Sequence, residues 1–195
     1  MVPVPLSSVD RSTLRWIRTR ESPAAFSLRA GEGEGEVATL SWDRAGGSLA
    51  TAVTAEQTWT LKRAGFLQPT ILVRTPGTPA PVARLTAHLA RHEISVGEDP
   101  PYRLRHISHL VPAWRLTTGR GEEVLHIEPV PERRSLQGGA VVVSPTAPVP
   151  STLLLVVLSW YFVVLSWFED EAIEALAPYE GPDPPLARGD RTRDA

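Results

Sequence analysis

The feature that most limits the fold of this chain is an apolar run at residues 152–168, which contains no charged residue, glycine or proline. Ser151 precedes this run as a predicted N-cap, and an acidic segment that begins at Glu169 follows it. A helix that ended at Phe168 would place those carboxylates at its negative end, so we expect it to continue to about residue 176, before Pro178. The sequence therefore predicts one helix over 151–176, apolar on every side along most of its length.

The preceding part of the chain, from about residue 12 to residue 144, has the short alternating runs of antiparallel β-strands. Trp59 and Leu61, for example, alternate with polar neighbours. Glycine-containing segments at 43–47 and 118–121 supply the residues that tight turns require. No helical segment separates the runs, which favours a meander of neighbouring strands. The predicted strands are 12–19, 24–30, 36–43, 48–55, 58–63, 69–75, 81–89, 92–96, 102–108, 113–118, 123–129 and 138–144.

The helix and the strand count together favour one architecture. A helix that is apolar all round is surrounded either by protein or by lipid. About twelve strands lie between the eight that enclose only their own side chains and the sixteen that leave a water channel, and an α-helix is about 10–12 Å across. The predicted fold class is therefore all-β with one helix, an antiparallel barrel of about twelve strands that encloses the hydrophobic C-terminal helix. The alternative is a bilayer span, because a run of about 17 residues is at the lower limit for crossing a membrane.

Composition excludes several classes of protein. The chain has no cysteine, which excludes disulfides, thiolate metal sites and a cysteine nucleophile. Its net charge of −2 gives no support for binding to nucleic acid. Residues 1–5 do not resemble a signal peptide, so we expect a cytoplasmic protein, and a monomer. The expected organisation is an N-terminal extension over 1–11, the barrel over 12–177 and a disordered, proline-rich tail over 178–195.

The order of these elements resembles the tubby C-terminal-like superfamily, which includes tubby-like proteins, phospholipid scramblases and LURP-one-related proteins. The resemblance rests on the strand pair 59–66 and 71–74, the hairpin from Trp114 to His126, and the terminal helix. It implies a twelve-stranded barrel around a central helix, and a binding or membrane-surface role rather than a metabolic activity. The chain has no counterpart of the tubby lipid-binding basic cluster, and it lacks the cysteine-rich segment of scramblases.

One group of basic residues is the candidate for binding an anionic lipid: Lys62, Arg63, Arg74 and Arg84 on neighbouring predicted strands. Each basic residue near an anionic membrane contributes about 1 kcal/mol. The alternative interpretation is that these residues are simply polar positions on the outer face of the barrel.

No catalytic, cofactor or metal site is predicted. The spacing of His88 and His92 suits a metal only on a helix, and this segment has a strand pattern, so we expect surface or loop histidines. Ser108 between His106 and His109 lacks the turn motif of a serine hydrolase. The alternating Gly-Glu segment at 31–36 is more typical of a solvated loop than of a calcium site.

The tryptophans have simple structural assignments. Trp16, Trp42, Trp59 and Trp114 lie on predicted strands and are expected in the core. Trp160 and Trp167 should pack against the barrel wall, or mark a bilayer interface if the helix is a membrane anchor.

Three hypotheses for function follow. The leading one is a cytoplasmic, non-enzymatic tubby-like module that binds a lipid headgroup, a membrane surface or a protein partner, and is peripheral to the membrane. The alternative is a tail-anchored membrane protein with a cytoplasmic β domain. A hydrolase that uses Ser108 with His106 or His109 is the weakest of the three.

Overall fold

The structure is a computed structural model, and it describes residues 2–31, 35–65, 69–88, 91–108, 112–132 and 135–176. These residues form two short 3₁₀ helices at Leu6–Ser8 and Arg11–Thr13, twelve strands and one α-helix. The strands are β1 (Leu14–Arg20), β2 (Ala25–Ala30), β3 (Glu36–Trp42), β4 (Leu49–Thr54), β5 (Thr58–Ala64), β6 (Thr70–Arg74), β7 (Ala83–Ala87), β8 (His92–Val96), β9 (Tyr102–Ser108), β10 (Ala113–Thr117), β11 (Glu123–Glu132) and β12 (Ser135–Val143). The helix is α1 (Val149–Leu176).

The twelve strands form a closed barrel in which each strand pairs with its neighbours in the chain, and β1 closes the circle against β12. Every pairing is antiparallel; in the closing pair, for example, Leu14 lies opposite Val141. The predicted fold class, a twelve-stranded antiparallel barrel with one helix, is confirmed. Because side chains alternate across a strand, every strand presents one face to the interior and one to solvent.

Helix α1 fills the barrel, which is why an all-round apolar sequence is required. Residues 154–165 are all buried, and they belong to the same core cluster as the inner faces of the strands. The helix begins at Val149 rather than at Ser151, so the predicted N-cap is wrong. Pro150 is tolerated in the first turn because the N–H it lacks has no partner there. The turn is closed instead by Thr152, whose backbone N–H and Oγ1 both donate to the carbonyl of Pro148 at 3.1 and 2.6 Å.

Stacked aromatic rings join the helix to the barrel wall. Trp160 stacks on Trp16 of β1 with 5.7 Å between ring centroids and 7° between planes. Tyr161 stacks in the same way on Trp42 of β3, at 5.4 Å and 3°. The predicted core positions of Trp16, Trp42 and Trp59 are confirmed, and Trp114 and Trp167 are partly buried against the same core.

The barrel has two open ends that matter for the sites below. We call the end where α1 begins, beside Trp59 and Ser151, the start mouth. The other end, where Trp42 and Phe168 lie together, is the exit mouth. The predicted N-terminal extension packs at the start mouth, because Leu6 is buried and the N–H of Val4 donates to the carbonyl of Glu36 at 2.7 Å. The predicted tail at 178–195 lies outside the described residues.

Candidate functional site

A row of four outward-facing side chains crosses strands β4 to β7. Leu49 lies opposite Lys62, Lys62 opposite Leu72, and Leu72 opposite Arg84. Directly opposed residues in antiparallel strands share a face and have their Cβ atoms about 5 Å apart. Lys62 and Arg84 are exposed, Leu49 is 37% exposed and Leu72 is half-buried. The row therefore alternates aliphatic and basic side chains on an open surface, and we call it the wall row.

Arg74 lies beside the wall row on the same outer face. It is two residues beyond Leu72 on β6 and lies opposite Thr60 of β5. Its Nε donates to the carbonyl of Pro79 at 3.2 Å, which holds the guanidinium near the loop between β6 and β7. Three of the four basic residues proposed from the sequence are thus on one surface.

Arg63, the fourth predicted residue, belongs to a different surface. It lies on the same strand face as Trp59 and Leu61, whose side chains are buried inside the barrel. Its position is near the exit mouth, beside Tyr161 of the helix. Burial raises the pKa of the Tyr161 hydroxyl well above its ordinary value, against smaller opposing effects of a backbone hydrogen bond with Arg63 and of the charge of Arg63. The Tyr161 hydroxyl donates to the carbonyl of Ser48. Arg63 is therefore a neighbour of the helix and not a member of the wall row.

Three further arginines extend the basic surface, and the sequence analysis missed them. Arg103 and Arg105 are exposed on β9, and Arg105 lies directly opposite Arg115 of β10. The alternation of Arg103 and Arg105 with buried Tyr102 and Leu104 is the sequence signal that could have identified them. Two like charges directly opposite each other are unfavourable unless an anion lies nearby. Arg115 has one, because its Nε lies 2.7 Å from Oε2 of Glu123.

Most of the charge on this surface is not neutralised by the protein. Within the described part of the chain, the ion pairs are Arg115–Glu123 and His126–Glu128, and Lys62, Arg84 and Arg105 take part in neither. Glu93 is the one carboxylate of β8 on this side and lies opposite Arg103. The outer wall from β5 to β10 therefore carries an outward basic residue on every strand except β8, although the net charge of the chain is −2.

A second cluster near the exit mouth consists of histidines and aromatic rings. His92 is half-buried, with its ring centroid 4.3 Å from that of Phe162 and 5.8 Å from that of Trp114. Burial, and to a smaller extent the charge of His88, lowers the pKa of His92 to about 4. The expectation of surface or loop histidines is correct for His88, which is exposed, but wrong for His92, whose imidazole packs on the helix because its strand position faces inward. His106 lies with its ring centroid 5.0 Å from that of Trp114.

The structure gives little support to the other candidate sites considered from the sequence. The side chain of Ser108, all of His109 and residues 32–34 lie outside the described part. Across the described residues, no three histidine or carboxylate side chains come together in a group that could hold a metal ion. Glu36, at the end of the Gly-Glu segment, accepts a hydrogen bond from Ser27 Oγ at 2.6 Å.

By length and composition, Pro150–Phe168 could cross a membrane. In the structure 78% of that stretch is buried inside the protein, so the barrel supplies the apolar surroundings that a bilayer would otherwise supply. This agrees with the expectation that the helix is enclosed by the strands.

The fold and the wall row together define a closed β-barrel with a helical core and a basic, partly aliphatic outer wall. No protein-family model, curated protein or solved structure matches the chain.

Proposed function

We propose that this protein is a non-enzymatic tubby-like module that binds peripherally to the anionic, cytoplasmic surface of a membrane through its outer wall. The observation that carries the proposal is the wall row, in which aliphatic and basic side chains alternate across four strands. The barrel-and-helix architecture agrees with the fold that the tubby-like resemblance implies.

The chemistry of the wall row suits the interface of a membrane. Lys62 and Arg84 are long, exposed and free of ion pairs within the described residues, so their charges are available to phosphate groups. Leu72 lies between these two residues, and Leu49 lies on the other side of Lys62. Both leucines offer apolar surface at the level where headgroups meet acyl chains.

The strength of the interaction can be estimated from the charges. A basic residue close to an anionic membrane contributes about 1 kcal/mol. Lys62, Arg74 and Arg84 would together contribute about 3 kcal/mol, which is roughly a hundredfold in partition coefficient. The attraction decays within a Debye length of about 10 Å at 0.1 M salt, so we expect the binding to weaken as salt rises.

Liposome flotation tests the proposal. The full chain is incubated with vesicles of zwitterionic lipid alone and with vesicles that contain an anionic lipid such as phosphatidylserine or a phosphoinositide. The test variant is Lys62→Gln/Arg84→Gln, which should weaken binding to anionic vesicles about thirtyfold, because two charges are removed. The matched control is Arg15→Gln/Arg29→Gln. These two exposed arginines lie opposite each other on β1 and β2, and β3 separates them from the wall row.

The outcomes separate the versions of the hypothesis. Binding to anionic vesicles that the wall variant loses and the control variant keeps supports the proposal. Absence of binding to every anionic vesicle would refute the membrane role and leave a protein partner as the ligand of the wall. Equal loss in both variants would show a non-specific effect of charge and would also contradict the proposed surface.

A tail-anchored protein is the second candidate, because Pro150–Phe168 is long and apolar enough to span a bilayer. It requires the helix to leave the barrel and to expose the inner faces of the strands, including Trp16 and Trp42. Expression without detergent distinguishes the two. A soluble monomer supports the enclosed helix, and extraction only by detergent supports the anchor.

A further inference from the structure

A cleft of about 810 Å³ opens at the start mouth, on a different part of the molecule from the wall row. The N-terminal segment, the loops between β4 and β5 and between β8 and β9, and the first turn of α1 surround it. Its volume is within the range of about 300–1,000 Å³ that is typical of small-molecule sites.

The inner part of the cleft is apolar and rigid. Trp59, which is 6% exposed, lies there with Leu6 and Leu154. The indole N–H of Trp59 donates to Oε1 of Gln57 at 3.0 Å, which fixes the orientation of the ring. An apolar group that enters the cleft would therefore contact side chains that the fold already holds in place.

The rim of the cleft is acidic. Glu56, Glu98 and Asp99 line it, and Arg11 is the one cationic residue among its described lining residues. All three carboxylates are exposed, and none makes an ion pair with another described residue. An anionic ligand would be repelled by this rim, whereas a cation would be attracted.

A hydroxyl of a largely buried residue faces the cleft, independently of the acidic rim. Ser151 lines the cleft and is only 7% exposed. Its hydroxyl makes no hydrogen bond with another described residue, and because the buried side-chain atoms without a partner do not include it, the oxygen is open to the cleft. Thr152, the next residue, shows the usual arrangement, because its hydroxyl donates to the carbonyl of Pro148. The Ser151 hydroxyl is thus available to a polar atom of a bound molecule.

We infer that the start-mouth cleft binds a small amphiphilic cation, an aryl- or alkylammonium compound. The ammonium group lies among Glu56, Glu98 and Asp99, and the apolar part packs on Trp59 and Leu154. This site is separate from the wall row, and it does not depend on the membrane proposal.

Tryptamine is a suitable probe, because it joins an ammonium group to a flat apolar ring. Its binding to the full chain is measured by isothermal titration calorimetry and by saturation-transfer NMR, in the absence of vesicles. Indole-3-ethanol and indole-3-propionate serve as neutral and anionic analogues. The test variant is Glu98→Gln/Asp99→Asn, and the matched control is Glu21→Gln/Asp43→Asn, which removes two exposed carboxylates near the exit mouth.

We expect tryptamine to bind more tightly than either analogue, and we expect the Glu98→Gln/Asp99→Asn variant to weaken its binding about tenfold while the control leaves it unchanged. Ser151→Ala should weaken binding by a smaller factor without unfolding the protein. Equal binding of the neutral analogue, an unchanged affinity in the test variant, or no binding of tryptamine at millimolar concentration would each overturn the inference. The liposome result for the wall row has no bearing on these outcomes.

Discussion

Replacement of Ser159 by alanine should make the protein more stable. Ser159 is fully buried in the middle of α1, and its hydroxyl has no hydrogen-bond partner within the described part of the chain. A buried polar group without a partner costs about 1–3 kcal/mol of desolvation. Alanine also favours a helix by up to about 0.5 kcal/mol over serine. Loss of one oxygen atom leaves a small void that offsets part of this gain, so we expect Ser159→Ala to raise the free energy of unfolding by about 1 kcal/mol.

Thr152→Val is the matched control in the same helix. Thr152 is equally buried, but its hydroxyl donates to the carbonyl of Pro148 at 2.6 Å. Valine keeps the branched shape and loses only this hydrogen bond, which contributes about 1 kcal/mol. The carbonyl of Pro148 still accepts from the backbone N–H of residue 152. We therefore expect the two hydroxyl deletions to change stability in opposite directions.

Urea denaturation followed by tryptophan fluorescence measures both variants. An unchanged m-value with a higher midpoint for Ser159→Ala, and a lower one for Thr152→Val, is the expected result. In a thermal scan, a gain of 1 kcal/mol should raise Tm by about 2–4 °C for a chain of this size. If Ser159→Ala destabilised the protein as much as Thr152→Val, the Ser159 hydroxyl would have a partner in the folded state, and the reasoning would be refuted.

Two further predictions concern the barrel interior. A Cβ atom on Gly139 would lie 2.8 Å from Cζ3 of Trp160 and 2.8 Å from the carbonyl oxygen of Glu128. Gly139→Ala should therefore lower the free energy of unfolding by about 2–3 kcal/mol. The control is Gly119→Ala, whose Cβ would meet only ordinary contacts, and an equal effect of the two substitutions would contradict the packing around Gly139. Burial lowers the pKa of His92 to about 4 from 6.5. Between pH 6.5 and pH 4 the unfolded chain therefore binds more protons at this residue than the folded chain, so the free energy of unfolding should fall as the pH falls. We expect a loss of about 1–2 kcal/mol over this range, because the ring is partly exposed. Urea midpoints measured from pH 7 to pH 4 check this, and a slope that persists unchanged in His92→Phe would assign it to another group.

Much of the fold follows from patterns that act within a few residues. Alternation between buried and exposed positions placed all twelve strands to within a few residues, and the uncharged apolar run placed the helix. The largest error is in the last hairpin, where β11 extends to Glu132 and β12 begins at Ser135 rather than at 138. An irregularity between Val130 and Pro131 shifts the register there, and the two strands stay paired on both sides of it.

The basic site was harder to predict, because it depends on which faces the strands present. The sequence places Lys62 and Arg63 in one group with Arg74 and Arg84 on neighbouring strands. Consecutive residues of a strand point to opposite faces, however, so only Lys62 of the first two joins the wall row. Arg105 and Arg115 come together through the register of β9 and β10, which no local pattern specifies. The start-mouth cleft unites the N-terminal segment with loops and a helix that are far apart in the chain, so its outline required the complete fold.

The position of α1 in the chain also has a consequence for biosynthesis. The segment that fills the barrel follows all twelve strands, and β1 finds one of its two partners only in β12. At a synthesis rate of about 5–20 residues per second, β1 waits about 7–27 s before residue 151 is made. During that interval the ribosome carries a growing sheet whose inner surface has nothing to pack against and whose first edge is open. Such edges invite pairing with other chains, so we expect the newborn protein to depend on chaperones until its last described element has emerged.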